Sequence, residues 1–218
     1  MRGEIPRFGR PGLLYCIVEP VEPEISPMSA RLILHPETPG YAPAELVPLQ
    51  RVLVDIGLLG ACYGDYRVQS SEQRYLIGKH FLQLVSFMGC APAIELAPPA
   101  DAGDESFCHI ALSDIQPQPM FAVDAVLASP RCPHCRQRQD DWAQRVEHWR
   151  HEPRYRYECR GCHAALSPTE LNWRRNGGFG RVFVSIFGIY PREAIPTEHL
   201  LACLQRATEQ DWNYFYAR

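Results

Sequence analysis

The apolar positions fall into two periods along the chain, and the changes between them outline the elements. Short apolar runs bounded by Gly, Pro or charged clusters predict strands at Gly12–Val18, Arg31–Leu34, Tyr63–Gln69, Arg74–Ile77, Phe107–Leu112, Pro119–Leu127, Arg181–Tyr190 and Trp212–Tyr216. Helical spacing appears at Pro43–Leu59, where Leu46, Leu49, Leu53 and Ile56 share one stripe. Val47, Val52, Val54 and Leu58 widen it until little polar face remains, so this helix is expected to be central. Phe81, Leu84, Val85 and Met88 predict a short helix stopped by Gly89, and Leu200, Leu201, Leu204 and Ala207 predict one capped by Thr197. Between residues 140 and 153, Trp142, Val146 and Trp149 mark a further helix that Asp140 or Asp141 can cap.

Two segments are read from punctuation rather than period. Ser167-Pro168-Thr169-Glu170 is a capping-box pattern with Pro at the first helical position, which predicts a helix through about Arg174. Gly177-Gly178-Phe179-Gly180 then reads as a glycine-rich loop before the next strand, and the proline-rich stretches at 21–27 and 97–105 read as loops. The element order predicts an α+β fold, a mixed sheet with packed helices. The organisation expected is an N-terminal α/β part over 1–128, an inserted module over 129–166 and a strand-helix-strand part over 167–218 packing on the first.

Composition narrows the class. The chain has 218 residues, 46% hydrophobic and 22% charged, which suits an ordinary globular protein, and its apolar runs are broken before the ~20 residues of a membrane helix. The first residues lack a secretory signal pattern, and an odd count of nine cysteines, five of them scattered singly, argues for a reducing, cytoplasmic setting over a disulfide framework. A net charge of -3 hides a polarity: Arg131–Arg181 carries eleven Arg against six acids, while the rest of the chain is acidic.

Chemistry is densest at Cys132-Pro133-His134-Cys135 and Cys159-Arg160-Gly161-Cys162. Two Cys-x-x-Cys pairs supply four thiolates, each pair forming one knuckle of a tetrahedral site for one structural Zn²⁺. Four thiolates complete the tetrahedron, so His134, His148, His151 and His163 are expected to stay outside it. Residues 131–163 resemble a rubredoxin-type or transcription-factor-type zinc ribbon, and the flanks are similar to those of uncharacterised bacterial proteins that carry a ribbon within an α/β body. The resemblance implies a metal site and no particular activity. Rubredoxin itself holds iron, which the Cys set alone admits, although zinc is the better default for a segment that is helical and charged.

Three roles fit these residues. With no phosphate-binding loop or nucleophile-base set visible, the first expectation is a non-catalytic zinc-binding protein with a protein-interaction surface. The second is nucleic-acid binding through Arg174, Arg175 and Arg181, where Arg, Gly and aromatics interleave. The third follows from a resemblance of Cys132-Pro133-His134-Cys135 to the active site of thioredoxin-fold thiol oxidases, which implies a redox pair at Cys132 and Cys135. That chemistry needs Cys132 at a helix N-terminus.

Overall fold

Arg31–Pro36 (β1) is buried along nearly its whole length, so its neighbours must cover both faces. A computed structural model describes residues 30–63, 72–89, 94–98, 107–124 and 129–217. The strand expected at 12–18, the loop at 21–27, most of the strand at 63–69, and Cys16 and Cys90 lie outside the described residues. In the main sheet β1 runs between Val184–Phe187 (β10) and Trp212–Ala217 (β12), and His109–Ser113 (β5), Glu72–Ile77 (β3) and Leu59–Cys62 (β2) follow beyond β10. Every pair is antiparallel, with Ile33 opposite Ser185 on one side and Phe215 on the other. The fold is α+β.

Alternation along β1 sorts the two faces. Leu32 and Leu34 join Ile110, Leu112, Val184 and Ile186 in the larger core, under helices Leu46–Asp55 (α1) and Glu198–Thr208 (α4). Ile33 faces the other way, against Phe183, Phe215 and Ala217. The two-stranded antiparallel sheet of Met120–Val123 (β6) and Gly177–Gly180 (β9) packs there, with Ala122 against this smaller core. Thr197 caps α4 by accepting from the Leu200 N–H at 3.3 Å, as its spacing predicts.

Four expectations are corrected. Helix α1 is a surface helix: only Leu49 and Leu53 are buried, while Val47 and Val54 face outward. The predicted helix at 81–88 stops at Leu84 (α2, Phe81–Leu84), because Val85–Phe87 (β4) pairs with Ala194–Pro196 (β11). The capping box at Ser167 is present but initiates a single 3-10 turn, Pro168–Glu170. Leu171 is already extended, and Asn172 exchanges backbone hydrogen bonds with Arg131 at 2.9 and 3.0 Å. Finally, the expected glycine-rich loop is strand β9, in register with Phe121 opposite Phe179. Among the described residues no helix is long and apolar enough to cross a membrane.

Candidate metal centre

The two knuckles are built alike. Cys132 donates its N–H to the Gln137 carbonyl and its own carbonyl accepts from Arg136; Cys159 donates to Ala164 and accepts from His163. All four bonds measure 2.9 to 3.0 Å. Arg136 and His163 therefore occupy matching positions, both with positive φ, 63° and 59°, which turn the chain back after the second cysteine of each pair. The second knuckle rides on Tyr157–Glu158 (β7) paired with Ala165–Leu166 (β8). Gly161 permits the knuckles to close on each other: a Cβ there would meet the Cys135 Sγ at 3.2 Å.

Cys132, Cys135, Cys159 and Cys162 bring their Sγ atoms within 4.8 Å of one another. The Cys132–Cys162 and Cys135–Cys159 separations are 3.8 and 3.7 Å. A tetrahedron with metal–sulfur bonds of about 2.3 Å has sulfur–sulfur edges of about 3.8 Å, so the cluster has the dimensions to hold a metal ion. Cys132 and Cys159 are buried and Cys135 and Cys162 exposed, which puts one sulfur of each knuckle inward. Burial opposes ionisation of Cys159, but backbone N–H groups of Gly161 and Cys162 and the neighbouring thiols outweigh it and take the thiol down to about 6. At Cys162 the Ala164 N–H favours the thiolate, and the three other sulfurs push the thiol up to about 12. Backbone N–H groups directed at these sulfurs favour the thiolate form, which suits a cation.

Around the sulfurs, sequence-distant groups fix the frame. Buried Gln139 aims Nε2 at the Cys159 Sγ, 3.7 Å away. Helix Trp142–His151 (α3) begins at Asp141, whose carboxylate takes two bonds from Arg145, 2.8 and 2.6 Å, and an ion pair from Arg160 at 3.2 Å. The bonds from Arg145 hold this carboxyl below its ordinary range. The Arg145 guanidinium also covers the Tyr157 ring at 3.5 Å, so the helix start, the second knuckle and β7 are tied together. On the far side, Cys132 and Cys159 belong to one core with Trp149, Leu166, Trp173, Phe121 and Phe179. The metal module thereby shares its core with the β6–β9 strand pair.

Three of the four histidines are engaged elsewhere: His163 pairs with Glu158, His151 with Glu147, and His148 stacks on Tyr155 with centroids 4.4 Å apart. Cys132 follows the bridge residue Arg131 and leads into a turn rather than a helix, so the dipole that activates the thiol of a redox pair is missing at this position. The three arginines have separate duties. Arg181 Nε donates to the Gln116 carbonyl at 2.7 Å, and Arg175 Nη1 donates to Asn213 Oδ1 and the Tyr214 carbonyl at 2.7 and 3.0 Å. Arg174 and Arg175 line a cleft with His35 and Asn213; Arg181 is elsewhere. The spacing of the cysteines located the sulfur cluster, whereas Gln139, His35 and Asn213 carry no local signal.

Compared with protein-family models, curated proteins and solved structures, the chain matches none.

Proposed function

We propose that the four cysteines hold one structural Zn²⁺ and that the protein acts by binding a partner rather than by catalysis at the metal. The observation that carries this reading is the sulfur cluster, with edges of 3.7 and 3.8 Å that match a closed tetrahedron. Four thiolates fill the coordination sphere and leave no position for a water or substrate, so the metal contributes folding energy and not a Lewis acid. Zinc is preferred to iron because the segment between the knuckles carries the charged helix α3 rather than a compact rubredoxin-type core. The setting proposed is a reducing, cytoplasmic one, in which the four thiols stay available to the ion.

In this reading the ion closes the ribbon, and Trp149 and Trp173 pack with Phe121 and Phe179 to hold the β6–β9 strand pair against the module. The test is elemental analysis of untagged protein, with unfolding followed before and after chelation. One zinc per chain, lost with local structure in Cys159→Ser, is the expected result. Iron in place of zinc would overturn the metal assignment, and a reversible Cys132–Cys135 disulfide in metal-free protein would overturn the structural role.

A further inference from the structure

Where β9 passes over β1 and β12, it leaves a cleft of about 340 Å³ on whose rim the chain turns at Trp173–Asn176. The turn departs from local preference. Arg174 and Arg175 have φ of 54° and 65°, and the Asn176 N–H donates to the Trp173 carbonyl at 3.0 Å. This is the pattern of a two-residue turn with left-handed central residues, which Asn-Gly serves best. Two adjacent arginines in those positions are not explained by the stability of the turn, and such departures concentrate at working surfaces.

The hydrogen bonds decide what the rim offers. Asn172 Oδ1 accepts from the Arg174 N–H at 3.0 Å; Asn213 Oδ1 accepts from Arg175 Nη1 at 2.7 Å and from the Tyr214 N–H at 2.9 Å. Those partners can only donate, so each amide oxygen is fixed and each Nδ2 amino group is the remaining capacity. The Arg174 guanidinium makes no hydrogen bond or ion pair among the described residues. Arg175 sits over the Tyr214 ring at 3.7 Å and is exposed, presenting a planar cation on an aromatic support. Donors and positive charge therefore dominate, and among the described residues Glu37 is the single acid in the lining.

We propose that this cleft binds a phosphate monoester carried on a nucleoside-sized heteroaromatic group. The phosphate meets Arg174 and the amides of Asn172 and Asn213, since guanidinium and amide N–H groups match its oxygens. The base stacks on the Arg175 plane, as bases do on guanidinium groups. Glu37 accepts from an N–H or O–H of the ligand, which favours a nucleotide over a bare anion. The volume lies at the small end of ligand sites and admits one nucleotide unit, not a duplex. A free nucleotide and the phosphorylated end of a single strand carry the same chemistry. The inference goes beyond the zinc reading and holds whichever metal occupies the cysteines.

The test is calorimetric titration of full-length, metal-loaded protein at low salt with adenosine 5′-monophosphate, adenosine, inorganic phosphate and a 5′-phosphorylated oligoadenylate. The protein is wild type and Arg174→Asn. Asparagine tolerates the left-handed conformation and lacks the guanidinium, so the variant keeps or gains thermal stability while the monophosphate binds about 10- to 100-fold more weakly. Tighter binding of the oligonucleotide assigns the source to a strand end, and equal or weaker binding assigns it to the free nucleotide; either supports the site. Monophosphate binding no tighter than that of phosphate or adenosine, or unchanged affinity in the variant, would overturn it. So would a lower melting temperature of the variant, which would make Arg174 a structural residue. Metal content measured on the same samples separates failure of the cleft from failure of the zinc assignment.

Discussion

Trp149 on α3 meets Phe179 on β9 edge-on, with ring centroids 4.9 Å apart. The contact joins the helix between the two knuckles to the strand that lies over the main sheet. Phe179 also touches Phe121 and Trp173, at 4.6 and 5.8 Å between centroids, and is buried. Phe179→Ala is predicted to cost about 3–5 kcal/mol in denaturant unfolding, the usual cost of deleting a buried aromatic. Met120→Ala, one strand away but exposed, should stay within about 0.5 kcal/mol. Equal effects at the two positions would show that the module and the β6–β9 strand pair do not share a core.

Among the described residues, Gln139 is the one buried side chain beyond the cysteines that donates toward the sulfur cluster. Groups that hydrogen-bond metal ligands commonly change metal affinity by about 10- to 100-fold when removed. Gln139→Met keeps the side-chain length and loses the N–H, so zinc should be surrendered to a chelator at that much lower chelator concentration. An unchanged competition curve would reduce the 3.7 Å contact to packing.

Those two residues also mark the limit of what the sequence conveys. The cysteine spacing, the Thr197 cap and strands β10 and β12 depend on neighbours within a few positions, and they are legible. Val85–Phe87 reads as helix by its apolar spacing, yet its backbone is claimed by Ala194–Pro196, more than a hundred residues on. Glycines at 177, 178 and 180 signal a loop because glycine is a poor strand former; here they form one because the strand must pass close to His35 and Phe215. The capping box at Ser167 is a true helix start that the bridge from Asn172 to Arg131 ends after one turn. The cleft draws its residues from 35–39, 169–179 and 213–214, a set that no window along the chain contains.

Gly178 gives that close passage a direct test. A Cβ there would lie 2.5 Å from His35 Nε2 and 2.9 Å from Phe215 Cδ1, both on buried rings with little room to give way. Gly178→Ala should therefore destabilise by about 1–3 kcal/mol, the range for overpacking a well-filled site. At Gly40 nothing lies within 4 Å of the added methyl, so Gly40→Ala should be close to neutral in the same melting experiment. A neutral Gly178→Ala would mean that β9 stands farther from β1 than described.

His35 connects the cleft to pH. Burial lowers its pKa from 6.5, against the pull of hydrogen bonds to the Pro36 and Phe179 carbonyls, and the charge of Arg175 acts in the same direction as burial. A histidine whose folded value lies below its unfolded value binds fewer protons folded than unfolded, so stability rises with pH across the window between the two values. Its contribution is complete above pH 6.5 and is lost as pH falls from there through the folded value. The His35 ring should accordingly titrate below 6.5 by NMR. Wild-type protein should also lose stability relative to His35→Gln as pH is lowered from 7.5 to 5.5 at equal metal content. A ring that titrates above 6.5, or a difference of the opposite sign, would place a compensating anion beside His35 and reverse the electrostatic description of the cleft.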